Sequence, residues 1–96
     1  MNDTASSPQV AHTADAQRFQ LTVEGHQAVL DYRRQGDTLV ITHTGVPEAI
    51  GGRGIAAQLV KAALEYARAN GLKVDPACSY ADTFMRRHGE YADLLG

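Results

Sequence analysis

Gly51-Gly52-Arg53-Gly54-Ile55-Ala56-Ala57-Gln58-Leu59-Val60 decides how this chain is read. Three glycines in four residues stand where the hydrophobic period changes. From Ile55 onward the period is helical. Ile55, Ala56, Leu59, Val60, Ala63, Leu64 and Ala67 form one apolar stripe, opposed by Gln58, Lys61, Glu65 and Arg68. Asn70-Gly71 ends it, with Gly71 suited to the left-handed position that follows a helix. Glycine lets the main chain approach a ligand with no Cβ in the way. The first turn of a helix adds unpaired N–H groups and the positive end of the helix dipole. The combination predicts an anion site suited to phosphate. A loop that needs glycine only for its own turns is the competing reading.

Upstream the period is two. Phe19, Leu21 and Val23 alternate with Gln20, Thr22 and Glu24; Ala28, Leu30 and Tyr32 alternate with Val29, Asp31 and Arg33. Leu39, Ile41 and His43 alternate with Val40, Thr42 and Thr44. Turn signals at Gly25-His26 and Gln35-Gly36-Asp37 separate the three runs, so an antiparallel meander is predicted. Downstream, Leu72-Lys73-Val74 reads as a short strand stopped by Pro76. Ser79 is placed to cap a second helix running to about His88, with Asp82 in the capping-box position. Tyr91, Leu94 and Leu95 read as a final turn docking on the core. The predicted order is β-β-β-α-β-α. A helix between the third and fourth strands implies a right-handed crossover and a parallel pair, hence an α/β fold of the α+β kind with a mixed sheet. Residues 1–17 are small, polar and aperiodic, and read as a disordered tail with His12 solvated; residues 18–96 form the domain.

Composition narrows the function classes. At 96 residues there is room for one core. Nine basic and eleven acidic side chains give a net charge of −2, so nucleic acid is not an expected partner. Arg86, Arg87 and His88 read as a solvated helix end. The single cysteine, Cys78, excludes an internal disulfide, and a reducing cytoplasm is the expected location. No apolar run approaches the ~20 residues of a membrane span, and no export signal is read at the N-terminus. No metal-ligating spacing stands out, and the oligomeric state is left open.

Two phosphate motifs compete for the glycine turn. A Walker loop requires Lys-Ser/Thr after the last glycine, which is missing. Gly52-x-Gly54-x-x-Ala57, with Asp75 about twenty residues later, mimics a dinucleotide fingerprint. Residues 45–51 lie between the strand end and Gly52, whereas a dinucleotide turn is tight. The chain after Asp75 is also too short for a doubly wound sheet. The strand, turn and helix resemble motif A (R/Q-x-x-G-x-G/A) of the GNAT, or GCN5-related N-acetyltransferase, superfamily. Here it reads Gly51-Gly52-Arg53-Gly54-Ile55-Ala56, with Gly51 in place of Arg or Gln. His43-Thr44-x-Val46-Pro47, Pro76-x-Cys78-Ser79-Tyr80 and Arg87-His88-x-Glu90-Tyr91, in that order around it, resemble the small stand-alone YjdJ-type acetyltransferases of bacteria and plants. The likeness runs from about Phe19 to Leu95.

That resemblance implies an acetyl-CoA-dependent N-acetyltransferase with an amine-bearing acceptor, either a small molecule or a protein lysine. A non-catalytic CoA-binding module is the alternative. The resemblance implies that two neighbouring strands splay and admit the pantetheine arm. The main chain of Thr44, Gly45 and Val46 would bond that arm, and the N–H groups of Gly52, Arg53, Gly54, Ile55 and Ala56 would hold the diphosphate. His43 is the candidate general base, since imidazoles titrate near ~6.5. Its phase with Leu39 and Ile41 equally suits a histidine packed on the sheet. Cys78, just before a helix, reads as a nucleophile, as a polar group beside the CoA sulfur, or as a small buried side chain. Many family members protonate the leaving thiolate with a tyrosine on the last helix; the matching positions here are Phe84 and Met85.

Overall fold

The computed structural model describes residues 10–95. Five strands make one sheet in the order β1-β2-β3-β4-β5. They are β1 (Ala11–Thr13), β2 (Arg18–Val23), β3 (His26–Gln35), β4 (Thr38–Gly45) and β5 (Lys73–Asp75). The pairs β1/β2, β2/β3 and β3/β4 are antiparallel; β4/β5 is parallel. Helix α1 (Ile55–Ala69) makes the crossover, and α2 (Ser79–Arg87) follows β5.

Every buried strand residue lies on one face: Phe19, Leu21, Ala28, Leu30, Tyr32, Leu39, Ile41 and Val74. The stripe of α1 covers them with Ile55, Leu59, Val60, Ala63, Leu64 and Ala67, and α2 adds Ala81, Phe84 and Met85. No described residue of the opposite sheet face is buried. That face is open. Antiparallel sheets tolerate such one-sided burial because alternation turns polar residues outward.

Local chemistry sets the ends of α1. Gly71 takes φ +69°, and Leu72 N–H reaches Ala67 C=O at 2.8 Å while Gly71 N–H reaches Arg68 C=O at 3.4 Å. This pair of bonds satisfies carbonyls that the helix end would leave unpaired. After α2, a 3-10 turn (Gly89–Leu94) buries Tyr91 and Leu94. The Tyr91 hydroxyl donates to Glu65 at 2.9 Å, and burial with that carboxylate pushes its pKa up to about 12. Leu95 does not join the core. It bridges to Val74 through its backbone and leaves its side chain exposed.

Two other expectations change. Cys78, and not Ser79, occupies the N-cap position of α2; Asp82 pairs with Arg86 at 2.9 Å and forms no capping box. The reading of residues 1–17 as a tail also fails over its described part; residues 1–9 lie outside the described residues. Ala11–Thr13 adds an edge strand, followed by a 3-10 turn at Ala14–Ala16, so the order is β-β-β-β-α-β-α. The anchor is His12, which stacks on Phe19 (ring centroids 4.1 Å apart, 4° between planes) and meets Tyr66 edge-on at 4.5 Å. It also hydrogen-bonds the Tyr32 hydroxyl.

Burial lowers the pKa of His12. A base depressed on folding binds more protons when unfolded, so its contribution is present above the unfolded imidazole value and is lost as pH falls through the folded one. Amide exchange of Ala11–Thr13, corrected for intrinsic rate, should therefore accelerate as the pH falls below ~6.5, and His12→Phe should remove that dependence.

Candidate functional site

β4 runs out at Gly45 into Val46, Pro47 and a 3-10 turn (Glu48–Ile50) whose Ile50 is fully buried. Ile50 on one side and Ile55 on the other pin the glycine turn between them, leaving Gly51–Gly54 exposed. Gly52 and Gly54 have φ of +77° and +73°. A Cβ built on either meets nothing within 4 Å. Main-chain conformation therefore demands these glycines, and the space above them is open. Gln58 N–H makes the first turn's bond, to Gly54 C=O at 3.1 Å. The N–H groups of Ile55, Ala56 and Ala57 precede it and have no intrahelical acceptor. No side chain caps the helix, and among the described residues Gly52, Arg53 and Gly54 N–H find no protein acceptor. Consecutive free amides at a helix start form an anion cradle.

Arg53 does not lean over that cradle. Its guanidinium reaches Glu24, in the β2–β3 turn, at 3.1 Å, and holds that carboxyl below its usual range. A pair so exposed contributes little and is readily exchanged.

Beside the cradle the sheet opens. The β4/β5 ladder covers only Thr38–Val40 against Lys73–Asp75. Pro76 follows, and the last main-chain bond across is Cys78 N–H to Ile41 C=O at 2.9 Å. Beyond Ile41, β4 keeps β3 on one side and, among the described residues, has no strand on the other. The gap lies at the carboxyl end of the parallel pair, where α/β sheets place their ligands.

Within that exposed length, β4 carries a bulge. Tyr32 faces Ile41 but Asp31 faces His43, so Thr42 is the extra residue, its hydroxyl donating to Asp31 C=O at 3.2 Å. An inserted residue inverts the alternation. Leu30 therefore pairs with Thr44, which turns to the core side, and His43 turns to the open face. This corrects the phase that grouped His43 with Leu39 and Ile41: the ring is exposed and not packed in the core. It folds back over Gly45, where a built Cβ would lie 2.9 Å from Nε2. Arg18, Asp31 and His43 form a row across three strands, with Arg18 holding Asp31 at 2.7 Å.

Cys78 is half-buried on the other side of β4, its Sγ 3.6 Å from Thr44 Oγ1. Burial pushes the thiol pKa up. Hydrogen bonding with the main chain of Ala81, with the Thr44 hydroxyl and with the main chain of Tyr80 and Thr44 outweighs it, and the net shift is downward. His43 and Cys78 do not meet, so they form no Cys–His pair.

A family model described as GCN5-related N-acetyl-transferase matches residues 18–94. The chain belongs to the GCN5-related N-acetyltransferase family. Protein NATD1 of Xenopus tropicalis is 35% identical over 89 residues, covering 90% of this chain and 82% of the relative. Protein NATD1 of Homo sapiens is 35% identical over 82 residues, covering 82% and 73%. The solution structure of a GCN5-like protein from Staphylococcus aureus superposes with a TM-score of 0.73 at 30% identity, covering 92% of this chain and 87% of that one.

In this GNAT chain a groove of about 350 Å³ runs between α1 and α2 from Ala57, in the first turn of α1, past Lys61, Phe84 and His88. Arg87 and Tyr80 line a smaller hollow beside it. Phe84 and His88 stack at 4.0 Å. Arg86, Arg87 and His88 are all exposed at the end of α2, as the sequence reading has them. Arg86 pairs with Asp82, while His88 also borders the groove that starts beside the amide cradle and Arg87 the smaller hollow. The i, i+4 spacing of Phe84 and His88 was the available signal. Among the described residues no cluster of His, Cys, Asp or Glu could hold a metal, and no helix is long and apolar enough to cross a membrane.

Proposed function

We propose that the protein is an acetyl-CoA-dependent N-acetyltransferase whose acceptor amine approaches over the open sheet face. One observation carries the reading: free amides at the start of α1 stand at the mouth of a gap where β4 has lost its β5 partner. Acetyl-CoA supplies an acyl group activated as a thioester. The N–H groups of Gly52, Arg53, Gly54, Ile55 and Ala56 hold the diphosphate, and the β4 edge at Thr44, Gly45 and Val46 bonds the pantetheine amides. Lys61 and His88, with Glu90 beside them, line the α1/α2 groove that would take the nucleotide end, and Arg87 stands at the neighbouring hollow.

The residues divide the work by face. Cys78 and Thr44 lie on the helix side of β4, at the acyl end of the gap. His43 lies on the open side, where it accepts the proton of the incoming amine. Proton transfer to a positioned base is worth ~10²–10⁴-fold in rate. With no second layer on that face among the described residues, an exposed amine such as a protein lysine fits better than a small molecule that needs enclosure.

One observation favours a second reading, a CoA-binding module without turnover. Phe84 and Met85, at the positions where the family carries its proton-donating tyrosine, are both buried and apolar. Thiol release from acetyl-CoA, measured against a panel of amines, peptides and lysine-bearing proteins, separates the two. Release above background with at least one acceptor is the expected result. Tight acetyl-CoA binding with background release for all of them favours the module. Amide shifts at Gly52–Ala56 with NAD but not with CoA would end both.

A further inference from the structure

The bulge in β4 has placed a threonine, and not the histidine, against the thiol. Thr44 Oγ1 stands 3.6 Å from Cys78 Sγ, both groups half-buried. The thiol sits in a fixed frame: Cys78 N–H is tied to Ile41 C=O at 2.9 Å, and Cys78 C=O accepts from Asp82 N–H at 3.0 Å. The main-chain amides of Tyr80 and Ala81, in the first turn of α2, and of Thr44 on β4 lower the thiol pKa. Around it the titratable groups are Asp75 at the end of β5, Tyr80 and Asp82 on α2, and His43 on β4. Asp82 is turned to Arg86, His43 lies on the opposite sheet face, and no charged side chain contributes to the thiol's environment.

We propose that Thr44 is a positioning residue for Cys78: its hydroxyl holds the sulfur toward the gap by hydrogen-bonding it in both its thiol and its thiolate form. The proposal rests on the placement of Cys78 at the acyl end of the site. A hydroxyl suits this task because it reverses roles. It accepts from the S–H and donates to the S⁻ without carrying charge. The α2 amides supply the remaining stabilisation of a thiolate at a helix start. Without the extra residue at Thr42, alternation would bring His43 to this face and turn Thr44 away.

The test needs no acetyl-CoA, so its outcome is separate from that of the acetyltransferase reading. Iodoacetamide reacts only with the thiolate: the sulfur–carbon bond forms as the carbon–iodine bond breaks, iodide leaves and the thiol proton goes to solvent. Cys78 is the single cysteine, so intact mass reports it directly. Thr44→Val keeps the shape and the main-chain N–H but removes the hydroxyl. Its alkylation-rate profile should move up by about one pH unit, with about a 10-fold slower reaction at pH 7, and Thr44→Ser should return it to wild type. Superimposed Thr44→Val and wild-type profiles overturn the proposal. So does a Thr44→Ser profile that follows Thr44→Val. If Thr44→Val fails to give a native amide spectrum, Thr44→Ala carries the same comparison against Thr44→Ser.

Discussion

Gly54→Val is expected to weaken acetyl-CoA binding by at least ~100-fold, about 2.7 kcal/mol, while the domain stays folded. Gly54 has φ +73°, and a Cβ there touches no protein atom within 4 Å. The substitution therefore introduces no clash. Its folding cost is that of a branched side chain in the left-handed region, ~1–2 kcal/mol. The binding cost has two sources. Relaxing the strain swings the peptide units on either side of residue 54, and the flanking N–H groups cease to converge. The isopropyl group also occupies space left open above the cradle. Hydrogen bonds from amides to a charged group are worth ~1.5–3 kcal/mol each, so losing one or two accounts for the expected fall. Gly71→Val is the control. Gly71 has φ +69° and the same empty surroundings, but it lies at the far end of α1. It should cost comparable stability in urea and leave acetyl-CoA affinity, read by calorimetry, within about threefold. Equal affinity for Gly54→Val and wild type, in a folded protein, would remove the diphosphate from this turn.

The parts of the fold that could be read in advance are those whose pattern repeats. β2, β3 and the first half of β4 each show alternation long enough to assign a face, and α1 shows four turns of a 3.6 period. β1 has neither. Ala11-His12-Thr13 is three residues of mixed character flanked by small polar ones, and what orders it is His12 meeting Phe19, Tyr32 and Tyr66 from three other elements. Local sequence holds no record of that contact. The bulge is hidden for a different reason. Thr42-His43-Thr44 reads identically whether or not a residue is inserted, because alternation is counted along one strand and a bulge exists only relative to the partner strand. Its consequence falls on the two side chains that matter most: it exposes His43 and turns Thr44 toward Cys78. The cradle was legible because glycine composition and a helix start are both local. The groove was not, since Lys61 on α1 and His88 just past the end of α2 come from elements that only packing brings together.

His43→Gln should lower kcat by ~10²-fold or more while leaving acetyl-CoA affinity within about twofold and stability within ~0.5 kcal/mol. The stability expectation follows from exposure: the ring lies on the open face and buries nothing that glutamine would uncover. The split between kcat and affinity follows from the side of β4 on which the ring stands. The cradle and the pantetheine edge act through main chain, which the substitution leaves alone. Gly45→Ala tests the same assignment without touching the imidazole. A Cβ at residue 45 would lie 2.9 Å from His43 Nε2, closer than contact allows, so the ring must swing aside while the protein keeps its imidazole. An intermediate loss of kcat is expected. The double variant His43→Gln with Gly45→Ala should be no slower than His43→Gln alone, because displacing a base that is already gone costs nothing further. That non-additivity distinguishes a misplaced base from two independent injuries to the strand, which would multiply. Full kcat in His43→Gln would leave deprotonation of the amine to solvent and return His43 to the surface.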